Sequence, residues 1–355
     1  MAGKYIYGII NSGDEGTLAT IGLGGSRPAY TIAHQDIACV LSDYAGREVV
    51  SMSREEVVRS LLAHQTVLEY MMREHTILPI KFGTVLATHD EVRDFLSAAH
   101  KQFADALAWI EGKVEVEVAA TWDTAQVLRE IGVEPEIVRA REAIARRPGE
   151  GTVEATLEER IRLGQMAKAA MDRRRDSYRE RMIDFLKPVA IDVQPNALIS
   201  DQMVMNVAFL VEKARQDEFD ARVRQLNELF HEQIDFRIIG PLPPYSFATV
   251  EVTRPSPEKI EKARQVLGLG AVISEAEVRR AYRRLAAQAH PDRKPGDGRA
   301  KMEFTKLRQA SDLLIACCRG QAGSGGSFLT NIRRLTDDEV QHLRFAEGGV
   351  VAGGA

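Results

Sequence analysis

Residues 273–293 read ISEAEVRRAYRRLAAQAHPDR. Val278, Tyr282, Leu285 and Ala289 recur at helical spacing and line one apolar face. Arg279, Arg280, Arg283 and Arg284 fall on another face of the same helix. Ser274, with Glu277 three residues on, has the pattern of a capping box, in which hydroxyl and carboxylate each accept a first-turn amide that has no partner in the helix. Pro291 disfavours helical backbone at the residue before it, so the helix ends near His290. After the Gly- and Pro-rich stretch RKPGDG (293–298), helical spacing resumes with Phe304, Leu307, Ala310 and Leu314. Two apolar stripes of matching length specify an antiparallel helical hairpin, with His290-Pro291-Asp292 exposed at its tip.

Working outward, TRPSP (253–257) is a short stiff linker before this module. QAGSGGS (321–327) is a flexible spacer behind it. The module is therefore expected over 258–320, followed by a flexible tail over 321–355 with one weak helix near Thr336–Phe345. Residues 255–320 hold 14 Lys/Arg against 8 Asp/Glu, whereas the whole chain has a formal charge of −4. An acidic body with a basic C-terminal module implies separate partners for the two parts.

The 355 residues exceed one ordinary core, and 45% hydrophobic with 28% charged residues is a globular composition. No apolar run approaches the roughly 20 residues that span a bilayer, so no membrane partner is expected. The opening MAGKYIYGIINSGDEG turns polar too early for a signal peptide. Cys39, Cys317 and Cys318 form neither a disulfide framework nor a zinc site, which points to a reduced, cytoplasmic setting.

The body alternates strand and helix patterns. Lys4–Asn11 reads as a strand, and Tyr30–His34 with Ile37–Ser42 as a hairpin. Ser53 and Glu56 form a capping box ahead of a helix to about His75, and Leu78–Leu86 is β-rich. Val92, Phe95, Leu96, Ala99, Phe103 and Leu107 stripe a second helix to Ile110. Val114–Trp122 (VEVEVAATW) alternates as a half-buried strand. This places helices on an antiparallel sheet, and a ferredoxin-like α+β domain is expected over 1–122. A long charged helix, with Met171, Tyr178, Met182 and Phe185 on one stripe and Arg173-Arg174-Arg175 opposite, opens a second such domain over 123–253. Its strands are read at Met203–Val211, Phe236–Ile239 and Phe247–Val252, with a helix at Phe219–Phe230. The fold class is thus α+β, with a small all-α module behind it.

Catalytic patterns are missing from the body. Gly22–Gly25 (GLGG) lacks the spacing of a phosphate loop. His34, His64, His75, His89 and His100 form no metal-binding pair, and no Ser or Cys occupies a nucleophile elbow. Lys81 reads as an ion-pair partner rather than a base. No cofactor and no metal are expected, and without an aromatic stacking platform the basic helix does not read as a nucleic-acid interface.

ISEAEVRRAYRRLAAQAHPDR, followed by EFTKLRQASDLL, is similar to the J-domain family over about 60 residues. The resemblance implies that His290, Pro291 and Asp292 stimulate ATP hydrolysis by an Hsp70 partner, and that Arg279, Arg280, Arg283 and Arg284 meet its acidic surface. Two departures stand out: KARQVLGL (262–269) lacks the family's aromatic pair before Leu-Gly, and the final basic helix is missing after Cys318. Read from the residues alone, the arginines also suit a merely solvated helix face.

YIYGII (5–10), HTILPIKFGTVL (75–86), MNVAFLVEK (205–213) and IIGPLPPYSF (238–247) together resemble the gas vesicle protein GvpF/GvpL family over about residues 3–253. Leu78, Pro79, Lys81, Phe82 and Gly83 carry one half of the likeness. Gly240, Pro241, Pro243, Pro244, Tyr245 and Phe247 carry the other. Lys81 stands where the family commonly has Arg, and Leu242 where Trp is frequent. The resemblance implies two α+β domains and a non-enzymatic role in gas vesicle assembly. It also implies contacts with the hydrophobic shell protein and other accessory proteins, in a gas vesicle or cytoplasmic location. The alternative is a general J-domain co-chaperone whose body binds clients unrelated to vesicles.

Overall fold

The computed structural model describes residues 3–22, 28–45, 51–145, 156–230, 233–253, 257–270, 274–288, 298–320 and 329–333. Among these, one compact unit comprises the residues up to Glu111 and those from Pro243 onward, and a second comprises Gly112–Leu242.

Unit 1 begins with β1 (Gly3–Ile10), β2 (Thr17–Ile21), β3 (Pro28–His34), β4 (Ile37–Tyr44), α1 (Arg54–Met72), β5 (Ile77–Pro79), β6 (Val85–Leu86) and α2 (His89–Ile110). The sheet order is β2-β3-β4-β1-β5, and β6 pairs with the other end of β1. The expected β3–β4 hairpin is present, and Gln35 adopts φ 58° at its turn. A register shift between Ile6 and Gly8 sets Ile6 opposite Leu41 and Ile9 opposite Cys39, so these apolar residues share a face despite a spacing of three. On that face they join Val92, Phe95, Leu96, Ala99, Phe103 and Leu107, the α2 stripe legible in the sequence, in one buried cluster. The Ser53–Glu56 capping box forms as expected, and α1 buries Leu61, His64, Val67, Leu68 and Met71.

Unit 2 runs β7 (Lys113–Thr121), α3 (Thr124–Ile131), α4 (Pro135–Ala145), α5 (Leu157–Leu186), β8 (Asp192–Pro195), β9 (Met203–Glu212), α6 (Gln216–Leu229) and β10 (Asp235–Leu242). The strand order β10-β7-β9-β8 is antiparallel throughout. Strand, helices, two strands, helix and strand in that order make the split βαβ arrangement of a ferredoxin-like domain.

Three local readings change here. The strand VEVEVAATW does not close the first sheet: β7 opens the second unit, paired to β9 and β10. Alternation identifies a strand but not partners that lie far away along the chain, from Thr121 opposite Met203 to Leu242 opposite Glu115. Nor is it half-buried, since Glu115 and Glu117 are buried along with Val114, Val116 and Val118. On α5, Arg175 is not opposite the apolar stripe but within it, four residues after Met171. Its guanidinium donates to Asp172 Oδ1 at 2.9 Å and to the Asp201 carbonyl at 3.1 Å, and lies over the Trp122 ring at 5.5 Å. Those partners offset the cost of burying the charge.

The chain then returns to unit 1 through β11 (Thr249–Thr253), followed by α7 (Pro257–Leu267), α8 (Glu275–Gln288), α9 (Gly298–Gly320) and β12 (Leu329–Arg333). β11, expected in the second domain, instead lies beside the first sheet, where Val250 bridges Ile80. Ala263, Leu267, Val278, Ala281, Leu307, Ala310 and Leu314 form the module's own core, with Tyr282 and Leu285 packed partly buried against it. The Ser274 box is closed by Glu277 N to Ser274 Oγ at 3.4 Å and Ser274 N to Glu277 Oε2 at 2.9 Å. Ser274→Ala is expected to cost the module about 1 kcal/mol, read as faster hydrogen exchange across α8 with unit 2 unchanged. Within the stretch read as a flexible tail, β12 is a strand paired with β11. The helix expected near Thr336–Phe345 lies outside the described residues.

Candidate interaction sites

The first body motif and the Pro243–Phe247 part of the second both lie in unit 1, where the Lys81–Glu251 ion pair spans 170 residues. Leu78 and Pro79 pair with Ile9 and Gly8 of β1. The chain then turns, with Thr84 N and Oγ1 both donating to the Lys81 carbonyl at 3.3 and 2.7 Å. Gly83 takes φ 87°, a left-handed conformation that a Cβ would penalise. Its N–H donates to Tyr5 Oη at 3.2 Å, and the Phe82 ring sits edge-on to both Tyr5 and His64.

Beneath this turn Tyr5 Oη lies 2.9 Å from His64 Nδ1. Burial pushes the Tyr5 hydroxyl well up and the His64 imidazole down to about 3, so both groups are neutral. With the His64 proton on Nε2, Nδ1 accepts from Tyr5 Oη, which itself accepts from Gly83 N. The arrangement is a buried polar support for the turn.

Pro243–Phe247 supply the other side. Tyr245 N donates to the Pro243 carbonyl, Phe247 N and Ala248 N to that of Pro244, and Thr249 Oγ1 to that of Tyr245. This tight turn delivers Ala248 and Val250 into the cluster that holds Leu78 and Ile80. Lys81 N donates to the Val250 carbonyl at 2.9 Å, and Lys81 Nζ pairs with Glu251 Oε1 at 2.9 Å, so Lys81 is the ion-pair partner its sequence context suggested. Gly240 and Pro241 belong elsewhere: they end β10 in unit 2. There Gly240 has φ 146°, and a Cβ would come within 3.0 Å of the Glu115 carbonyl oxygen.

On α8 the four arginines 279, 280, 283 and 284 are all exposed, as their spacing implied. Arg279 pairs with Glu275 at 2.7 Å, and Arg283 Nε donates to the Arg279 carbonyl at 3.3 Å. The result is a solvated cationic face with no aromatic side chain within it. His290, Pro291 and Asp292 lie outside the described residues. Sequence reading missed the roles of Tyr5, His64 and Glu251. The available signal for His64 was its place among Leu61, Val67 and Leu68 on a buried helix face. Among the described residues no cluster of His, Cys, Asp and Glu is arranged to hold a metal ion, and no helix is long and apolar enough to cross a membrane.

Comparison with known proteins accounts for both halves. The family profile described as gas vesicle synthesis protein GvpL/GvpF matches residues 3–249, and that of the DnaJ domain matches residues 264–316. Gas vesicle protein F of a Streptomyces species is 30% identical over 245 residues, spanning 68% of this chain and 98% of that protein. Its counterpart in Dolichospermum flosaquae is 27% identical, spanning 70% of this chain and 98% of its own length. Among solved structures, GvpF from Anabaena sp. PCC7120 superposes with a TM-score of 0.60 at 24% identity, and GvpF from Microcystis aeruginosa with 0.56 at 25%. Each covers 69% of this chain and 98% of the compared one. The α+β body, its meeting motif turns and these matches agree, and the chain belongs to the gas vesicle GvpL/GvpF family and carries a DnaJ domain behind that body.

Proposed function

We propose that this chain is a non-enzymatic accessory protein of gas vesicle assembly. In this reading the body engages the hydrophobic shell protein and other vesicle proteins, and the J domain brings Hsp70 to the same place, in the cytoplasm and at the vesicle. The observation that carries the reading is the succession of a GvpL/GvpF match and a DnaJ match in one chain, with only residues 250–263 between them. Unassembled apolar subunits expose surface that drives aggregation, which is the problem an Hsp70 system handles. Joining a vesicle-protein module to a chaperone-recruiting one raises the local chaperone concentration without any new contact. The exposed arginine face of α8 supports the second half, because it would steer an acidic partner toward the module and lose that effect in salt.

His290→Gln tests the chaperone half. The variant is expected to fold as the parent does and to leave Hsp70 ATPase activity at its unstimulated rate. Undiminished stimulation by the variant would overturn the role given to His290, Pro291 and Asp292. The parent is also expected to co-purify with floated vesicles, and its absence from them would overturn the vesicle half.

A further inference from the structure

β11 has two edges with different occupants. On one side it meets the first sheet, through the Ile80–Val250 bridge and the Lys81 N–H to the Val250 carbonyl. On the other it pairs with β12 over five residues, from Thr249 opposite Arg333 to Thr253 opposite Leu329. The pairing is antiparallel, so the chain leaves β11 and re-enters β12 at the same end of the ladder. Everything between them, including α7, α8 and α9, is looped out from that end. The three helices are therefore joined to the strands of unit 1 at both of their ends rather than by one linker.

The family relatives bear on what this strand does. The Streptomyces relative is covered over 98% of its length by 68% of this chain, and the family profile ends at residue 249. The profile match ends at the first residue of β11, so β12 lies in the length beyond it. An uncovered strand edge presents unpaired amides and carbonyls that attract another strand, and adding a strand to such an edge is a general mode of peptide recognition. The inner side of this edge is fixed, since Val250 is fully buried in the cluster with Ile80 and Leu78. A two-stranded ladder of this length is marginal by itself, so β12 is held by the rigidity of β11 and by its covalent attachment.

We propose that the outer edge of β11 is a strand-docking site, occupied in cis by Leu329–Arg333, and that this docking clamps the J domain to the rest of unit 1. The occupant is the chain's own strand, and an extended segment of similar sequence supplied in trans competes with it.

Hydrogen exchange on the full chain tests the clamp. The informative variant carries Asn331→Pro together with Ile332→Pro, because consecutive strand amides point to opposite edges and one of the two must face β11. In the parent, residues 249–253 and 329–333 are expected to be protected together. In the variant both are expected to exchange about tenfold faster or more, with β1 and β4 unchanged. Exchange of 329–333 in the parent at the rate of an unstructured peptide would overturn the proposal. A labelled peptide FLTNIRRL, residues 328–335, is then titrated into both proteins. Binding to the variant but not to the parent is expected. Failure to bind the variant overturns the docking site, and equal binding to both overturns its occupancy in cis.

Discussion

Phe103→Ala is expected to lower the stability of unit 1 by about 4 kcal/mol, since truncating a buried aromatic costs about 3–5 kcal/mol in lost transfer energy and cavity. Phe103 is fully buried beneath the sheet, with its ring 5.1 Å from that of Phe95. The two belong to the cluster that also receives Ile6, Ile9 and Val250. Collapse into the void is restricted, because the sheet above is held by a pairing register that cannot shift without turning side chains to the wrong face. Against a typical total of about 5–15 kcal/mol, the loss is a large fraction. Urea unfolding should show a lower midpoint with an unchanged slope, and the melting temperature should fall by roughly 10 °C. A loss below about 1 kcal/mol would mean that α2 does not pack on this face as described.

The second large effect depends on pH. His64 is buried with its ring held at a pKa of about 3, while an unfolded chain returns it to its ordinary value near 6.5. Between those values the unfolded state binds a proton that the folded state refuses. The contribution is therefore complete above pH 6.5 and is lost as the pH falls toward 3, at up to about 1.4 kcal/mol per pH unit. From pH 7 to pH 4 this amounts to about 3 kcal/mol. With the neutral ring's proton on Nε2, protonation would also turn Nδ1 from acceptor to donor, and the Tyr5 hydroxyl would lose the group it donates to. Carboxylates add their own slope, and comparison with His64→Phe separates the two. Denaturation at several pH values should show the variant flatter than the parent by about 3 kcal/mol over that range. Parallel curves would mean that His64 titrates normally and is not buried as described.

The outcomes follow the range of the interactions concerned. Capping boxes at Ser53 and Ser274, the α2 stripe and the α8–α9 stripes were all legible, because each depends on residues within one or two helical turns. The motif residues 78–83 and 243–247 were legible as unusual order, but that order says nothing of their meeting. It took the pairing of β5 with β1, and the return of the chain into β11, to set Lys81 beside Glu251. The exposed arginine face of α8 was readable as well, since an exposed helix face needs no partner to define it.

What the sequence determined by itself was the set of elements, the basic C-terminal module and the segments that carry the family likeness, because local periodicity, caps and residue order encode them directly. The tertiary structure alone decided where the units divide, that β7 opens the second sheet, that Arg175 turns inward onto Trp122, and that β12 comes back to pair with β11. The reason is physical. A strand pattern leaves its edge partners unspecified, and the favourable pairing is selected only when the whole chain competes for the same edges and the same buried volume.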